Sequence, residues 1–142
     1  RAILLFLSFF FSRFILDNKS LILKGINIIG ISDNQEDIDQ IKMAKKNFKR
    51  SLFNLLVIHK PTIWNSIYEN CDLMLSGHTH NGQIFPFNFL VRLQFNTVYG
   101  IYKRSNSRLY VSSGCGTWGP RMRFGTQNEV VQISISPKMA GH

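Results

Sequence analysis

Two histidines separated by one residue follow a short apolar run in this 142-residue chain. His78 and His80 lie in the segment SGHTHNGQ at 76–83, directly after the apolar residues 73–75, a pattern typical of a buried strand that ends in a turn. In extended backbone, side chains two residues apart face the same way. Because neutral imidazole is a preferred ligand of zinc, iron and nickel, the spacing predicts a shared divalent metal ion. The alternative is that both rings are ordinary core or surface residues.

A third histidine, His59, ends a second apolar run at 55–58. A short helix expected over 62–69 separates this run from the strand at 72–75, and this order predicts a βαβ unit with parallel strands. Parallel strands end at the same edge of a sheet, where ligands bind in open α/β folds. His59 and His78 are therefore expected to meet at that edge. A histidine that only hydrogen-bonds to backbone at the strand end is the alternative for His59.

The charge of the chain is strongly basic, with 17 Lys and Arg against 8 Asp and Glu and a net charge of +9. Glu129 is the only acidic residue after Asp72. This balance favours anionic partners such as phosphates, nucleic acid or an acidic membrane surface, and a solvated basic surface is the alternative. At this length, with 44% hydrophobic residues, we expect one domain or a piece of one.

The first sixteen residues are apolar and rich in Phe and Leu, and they are interrupted by Ser8, Ser12 and Arg13. The run is shorter than the roughly 20 residues of a spanning helix, and it has no small-residue cleavage site. We expect residues 1–16 to form a helix separated from its context or the remnant of an anchor. Residues 17–142 are then expected to form the domain.

The remaining pattern indicates an α/β (α+β) chain. Its predicted elements are a hairpin over 21–24 and 26–31, a helix over 35–50, a strand over 53–58 that is buried on both faces, an aromatic loop at 85–89, strands at 98–102, 108–112 and 130–136, and a tail at 137–142. The only cysteines, Cys71 and Cys115, are expected to be free, buried thiols.

The segments HKP at 59–61 and DLMLSGHTHNGQ at 72–83 resemble the C-terminal half of the calcineurin-like metallophosphoesterases. They are most similar to a bacterial, often membrane-associated, phosphodiesterase-like branch. The segments GISD at 30–33 and SGCGTWGPRMR at 113–123 are also similar to that branch, so the resemblance runs from about residue 16 to 136. It implies the C-terminal part of a four-layer β-sandwich flanked by helices.

The resemblance also implies a site and a reaction. His59 and His78 would ligate one divalent ion and His80 a second, both of the manganese, iron, zinc or nickel class. A hydroxide that bridges two such ions attacks the phosphorus of a phosphodiester or phosphomonoester. Arg121 and Arg123 are either donors to the substrate phosphate or surface residues. A phosphate ester is the expected substrate, an acidic membrane surface is a candidate partner and nucleic acid is not expected. The protein would be membrane-associated or cytoplasmic.

Several family motifs are absent from the sequence: Asp-x-His, Gly-Asp-x-x-Asp and Gly-Asn-His do not occur. These motifs supply the remaining metal ligands and the histidine that protonates the leaving group, and Asn81 stands where glycine is usual. We therefore expect a C-terminal fragment of a phosphohydrolase that is inactive alone, its acid–base histidine outside this chain. The alternatives are a non-enzymatic basic module that binds membrane or nucleic acid, and a degraded pseudogene product.

Overall fold

The computed structural model describes residues 3–6 and 13–136. The strands β1 (Ile3–Phe6) and β2 (Arg13–Leu16) pair antiparallel, so the predicted helix over 1–16 is wrong where the chain is described. Short apolar runs carry no period that separates helix from strand, and Phe and Ile favour strands. The predicted tail at 137–142 lies outside the described residues.

A six-stranded mixed sheet forms the centre of the molecule. Its strands are β3 (Lys19–Leu23), β4 (Ile26–Gly30), β5 (Phe53–Val57), β6 (Leu73–Ser76), β7 (Gly100–Arg104) and β8 (Ser107–Val111), in the order β3-β4-β5-β6-β8-β7. Strands β4, β5, β6 and β8 run parallel, whereas β3 and β7 pair antiparallel with β4 and β8 at the two edges. The predicted hairpin and βαβ unit are confirmed, and the strands predicted at 98–102 and 108–112 are β7 and β8.

Three helices and one 3₁₀ turn connect the strands: α1 (Asp37–Asn47), α2 (Trp64–Ile67), the turn His80–Gly82 and α3 (Phe87–Gln94). Helix α1 begins with acidic and ends with basic residues, which suits the helix dipole. The aromatic loop predicted at 85–89 is wrong, because α3 begins there. Pro86 precedes its first turn, a helix-start signal that the aromatic residues obscured. No helix in the described part of the chain is long and apolar enough to cross a bilayer.

The hydrophobic core lies on one face of the sheet. It is formed by Leu56, Met74 and Leu109 from neighbouring strands, and Trp64 and Ile67 of α2 pack on them. Along β5, buried residues alternate with half-buried ones, so the predicted burial on both faces is only half right. The mixed α/β architecture itself agrees with the predicted fold class.

The C-terminal segment 130–136 has no regular secondary structure, so the strand predicted there is wrong. Ile133 and Ile135 instead lie over the second face of the sheet, where they line a cavity of about 380 Å³ with Phe53 and Leu73. The alternating pattern thus reflects contact with a sheet face and not pairing with an edge strand.

The two cysteines differ in environment. Cys71 is buried as expected, and burial is the main cause that raises the pKa of its thiol to about 12. Cys115 is exposed, so its predicted burial is wrong. It lies in the loop at 114–120, which we call the glycine-rich loop, beyond β8 and not in a strand.

Candidate metal centre

The carboxyl ends of the parallel strands lie level at one edge of the sheet. Gly30 of β4 pairs in register with Val57 of β5, and Val57 pairs with Leu75 of β6. The residues that follow these ends therefore meet, and the Gly77 N–H donates to the His59 carbonyl at 3.0 Å. This backbone arrangement places the side chains of His59 and His78 side by side.

The imidazole rings of His59 and His78 are in direct contact. His59 Nε2 lies 3.0 Å from His78 Nδ1, and the rings meet edge to face with centroids 4.9 Å apart. The predicted convergence of these two histidines is confirmed. At this distance one nitrogen donates a hydrogen bond to the other, whichever ring carries the proton.

The same separation suits two ligands of one metal ion. Nitrogens bound at about 2.1 Å in adjacent octahedral positions lie about 3.0 Å apart. His59 is exposed and His78 is half-buried, so an ion can reach both from solvent. Burial, followed by the charges of His59 and Lys60, lowers the pKa of His78 and favours its neutral, metal-binding form. The two residues fit one half of a ligand set.

Within the described residues no hydrogen bond or ring contact joins His80 to this pair, and the intervening backbone is not extended, although the charge of His59 is among the causes that lower the pKa of His80. His78 and His80 have φ angles of +70° and +49°, with Thr79 helical between them. The backbone condition for their side chains to face the same way is therefore not met. His80 Nδ1 lies 3.4 Å from Arg123 Nη2, and burial and the Arg123 charge lower the pKa of His80. Within residues 3–6 and 13–136, no group of three His, Cys, Asp or Glu side chains converges on one metal position.

The turn that carries the histidines concentrates backbone strain. Four of its non-glycine residues, His78, His80, Asn81 and Gln83, have positive φ. Such left-handed conformations cost about 1–3 kcal/mol each and cluster at functional sites, where the surrounding structure enforces them. The surrounding structure therefore has to hold this turn in its observed conformation.

Gln83 joins the turn at 78–83, which we call the histidine turn, to the glycine-rich loop beyond β8. Its Nε2 lies within 3.1 Å of the carbonyl oxygens of Trp118, Pro120 and Met122, and its Oε1 accepts from the Trp118 N–H at 2.6 Å. The buried Gln83 side chain therefore fixes the glycine-rich loop against the edge that holds the histidines. Sequence reasoning placed Gln83 in the motif but assigned it no role.

Arg123 has a similar fixing role. Its Nη2 donates to the carbonyls of Ser113 at 2.7 Å and Gly116 at 2.6 Å, and its Nη1 donates to the His80 carbonyl at 3.1 Å. The terminal nitrogens of the guanidinium are thus committed to backbone oxygens. Substrate binding by Arg121, which is exposed, and by Arg123 stays a prediction.

An acidic residue, Asp33, lies at the same sheet edge, in the loop after β4. Lys60 Nζ is 3.4 Å from Asp33 Oδ1, and Lys60 follows His59 directly. The charge of Asp33 acts on His78 in the opposite sense to burial, because it favours the protonated ring. Asp33, which belongs to the GISD segment of the resemblance, therefore adds negative charge close to the paired imidazoles.

Glu129, which follows the glycine-rich loop in sequence, binds to residues next to strands β7 and β8. Its carboxylate accepts hydrogen bonds from Tyr99 Oη at 2.7 Å and Ser112 Oγ at 2.9 Å. Burial alone would raise the pKa of Glu129, but the bonds from Tyr99, Tyr110 and Ser112 and from the Ser113 N–H outweigh it and lower that pKa. Nothing in the local sequence pattern indicated this role.

Glu129→Gln is expected to lower the melting temperature at pH 7 by roughly 2 °C, because the amide keeps an acceptor but loses the charge. A carboxylate with a lowered folded-state pKa stabilises the fold above its unfolded pKa of about 4.3, and that contribution is lost as pH falls through the folded value. The difference between variant and parent should therefore shrink below about pH 4. Thermal melts from pH 7 to pH 3 measure it, and a difference that grows toward acid would contradict the assignment.

Several proteins with similar sequences carry one family name. A metallophosphoesterase of Helicobacter pylori is 40% identical over 132 residues, which cover 87% of this chain and 36% of the relative. Relatives of the same name are 40% identical over 134 residues in Campylobacter jejuni (87% of this chain, 35% of the relative) and 38% identical over 102 residues in Aquifex aeolicus (70% and 39%). No protein-family model matches the chain, and no solved structure matches it.

The mixed sheet, the paired imidazoles and these relatives together define the class. The chain belongs to the calcineurin-like metallophosphoesterase family, a family of hydrolases that use divalent metal ions, and the predicted resemblance to this family is confirmed, while the phosphodiesterase-like branch within it stays a prediction. It corresponds to the C-terminal part of its relatives and spans a little over a third of the length of these three.

Proposed function

We propose that this chain supplies the imidazole part of the metal centre of a phosphoesterase that hydrolyses phosphodiesters or phosphomonoesters. His59 and His78 are ligands of one divalent ion of the manganese, iron, zinc or nickel class, and His80 is a ligand of a second. The observation that carries the proposal is the 3.0 Å separation of His59 Nε2 and His78 Nδ1 at the ends of adjacent parallel strands.

The surroundings of His80 support a role at the neighbouring position. Arg123 faces its Nδ1 and holds its backbone carbonyl, which leaves Nε2 as the ligand atom. Thr79, between the two histidines, is buried and donates from Oγ1 to the Val98 carbonyl at 2.6 Å. Hydrogen bonds therefore hold the turn on both sides, so the positions of its two imidazoles are fixed before any ion binds.

When bound, divalent ions in such centres polarise phosphoryl oxygens and lower the pKa of a coordinated water. The residues of this chain provide the imidazole rings and fix them at the sheet edge, with Lys60 and Arg123 as neighbouring cations and Asp33 as a neighbouring anion. The basic half of the chain, with Glu129 as its only acid after Asp72, raises the local concentration of anionic substrate.

Two converged imidazoles do not complete a dinuclear site, and the sequence lacks the family's aspartate and asparagine motifs. We therefore propose that activity requires those groups from a segment N-terminal to the aligned region. Residues 1–142 alone are expected to hydrolyse bis(p-nitrophenyl) phosphate with Mn²⁺ no faster than Mn²⁺ in buffer.

A chimera tests the proposal. The part of the Helicobacter pylori relative that precedes the aligned region is joined to this chain, and hydrolysis of the same ester is measured with Mn²⁺. The chimera is expected to be active and to lose at least about a hundredfold in kcat/KM with His78→Ala, because even indirect partners of metal ligands contribute 10–100-fold. Manganese-dependent turnover by residues 1–142 alone, or a chimera indifferent to His78→Ala, would contradict it.

A further inference from the structure

Helix α3 packs on the metal centre through one narrow stripe. Asn88, Val91 and Phe95 follow helical spacing and are half-buried. The Phe95 ring lies 5.5 Å from the ring of His78, and a side chain on Gly82 would meet the backbone of Asn88. The helix therefore has a defined inner side, directly against the histidine turn.

The outer side of α3 is apolar where a solvent-facing helix would be polar. Phe89, Leu90 and Leu93 are exposed, and Leu93 keeps 84% of its surface accessible. No residue of α3 is fully buried. The helix thus has the reverse of the usual amphipathic pattern, since its most hydrophobic residues face outward.

The exposed surface continues beyond the helix. The ring of Phe85 lies 5.9 Å from that of Phe89 and 6.4 Å from that of Phe124. Gln83 holds the backbone of Trp118 and Met122 beside them. We call this surface the apolar patch; it consists of Phe85, Phe87, Phe89, Leu90, Leu93, Trp118, Met122 and Phe124, all at least half exposed. The ring contacts join Phe85, Phe89 and Phe124 into one exposed apolar cluster, and exposed apolar clusters mark interaction sites.

The charge around the apolar patch is positive. Arg92 lies on α3 itself and Arg121 lies next to Met122, and both are exposed. The only acidic residue after Asp72 is Glu129, and its carboxylate is already bound by Tyr99 and Ser112. A partner that fits this surface is apolar in its interior and negative at its rim.

We propose that the apolar patch docks on a phospholipid bilayer that contains anionic lipids. The Phe, Leu and Trp side chains enter the boundary between headgroups and acyl chains, while Arg92 and Arg121 meet lipid phosphates. A second copy of the chain fits less well, because a twofold contact through the patch would bring the same arginines together. Since α3 packs on the histidine turn, docking places that turn next to the membrane surface. This inference is independent of the proposed function.

Vesicle sedimentation tests the proposal. The full chain is mixed with vesicles of phosphatidylcholine alone or with 30% phosphatidylglycerol, and the bound fraction is measured. Binding is expected to the anionic vesicles and to weaken with salt. The double variant Leu90→Ser, Leu93→Ser should lower the partition coefficient about tenfold or more. Arg92→Glu should lower it about fivefold or more on anionic vesicles.

The matched control is Ile22→Ser, which changes an apolar residue of β3 that is more than half exposed (52%) and should bind like the parent. Circular dichroism verifies the fold of each variant, and Arg92→Glu keeps the test valid should the double variant unfold. Absence of vesicle binding, or equal binding by patch variants and control, would overturn the proposal. So would a dimer, seen by sedimentation velocity, that the patch variants dissociate while vesicles stay unbound.

Discussion

Replacing His78 with alanine is expected to weaken the binding of Zn²⁺ or Mn²⁺ to this chain by about a hundredfold or more. His78 Nδ1 is one of two converged ring nitrogens, 3.0 Å from its partner, so its removal leaves His59 as a single imidazole. Metal affinity falls steeply with the number of ligands, and outer-shell changes alone cost 10–100-fold. Isothermal titration calorimetry of the variant and the parent measures the loss.

Three further variants extend this experiment. His59→Ala should have the same effect as His78→Ala, and the double variant should be little worse than either, because the two rings act as one unit. His142→Ala is the matched control, since the chain has four histidines and His142 is the one we predict to take no part. Equal weakening by His142→Ala, or full affinity in His78→Ala, would contradict the pairing.

Gly82→Ala is expected to destabilise the fold by about 2–5 kcal/mol. Gly82 has a φ of +73°, and a Cβ there would lie 2.3 Å from the Cα of Asn88 in α3. The left-handed conformation costs an alanine roughly 1–2 kcal/mol, and forced displacement of packed structure adds about 1–3 kcal/mol. Urea denaturation should show the lower midpoint, and hydrogen exchange should show faster opening of α3.

Gly25 provides a matched control for this substitution. Its φ is +80°, close to that of Gly82, but no atom lies within 4 Å of the position that a Cβ would take there. Gly25→Ala should therefore cost only the conformational part, about 1–2 kcal/mol. Equal destabilisation by the two substitutions would show that close packing of α3 on the histidine turn contributes nothing.

The part of the site that the sequence predicts best depends on strand order. Two apolar runs around a short helix leave little choice but parallel strands, and parallel strands must end together. His59 and His78 follow those ends directly, so their contact follows from topology. The position of His80 depends instead on local φ angles, and a His-x-His spacing does not determine whether its backbone is extended or turned.

The remaining differences between the predicted and the observed structure have a common physical origin. The residues of α3 and of 130–136 place hydrophobic side chains where they contact surfaces distant in sequence or remain exposed, and periodicity alone does not reveal which. The roles of Gln83, Arg123 and Glu129 arise from hydrogen bonds that reach residues as far as 39, 43 and 30 positions away, respectively. Such long-range bonds leave no local signal, although the isolation of Glu129 in a basic region marked it as unusual.

The most direct test is nuclear magnetic resonance of the histidine rings during titration with Mn²⁺, whose unpaired electrons broaden nearby signals. We expect the ring signals of His59 and His78 to broaden together at the lowest Mn²⁺ concentrations, while that of His142 stays sharp. Uniform broadening of all four rings, or sharp signals from His59 and His78 at saturating Mn²⁺, would contradict a metal centre at the strand ends.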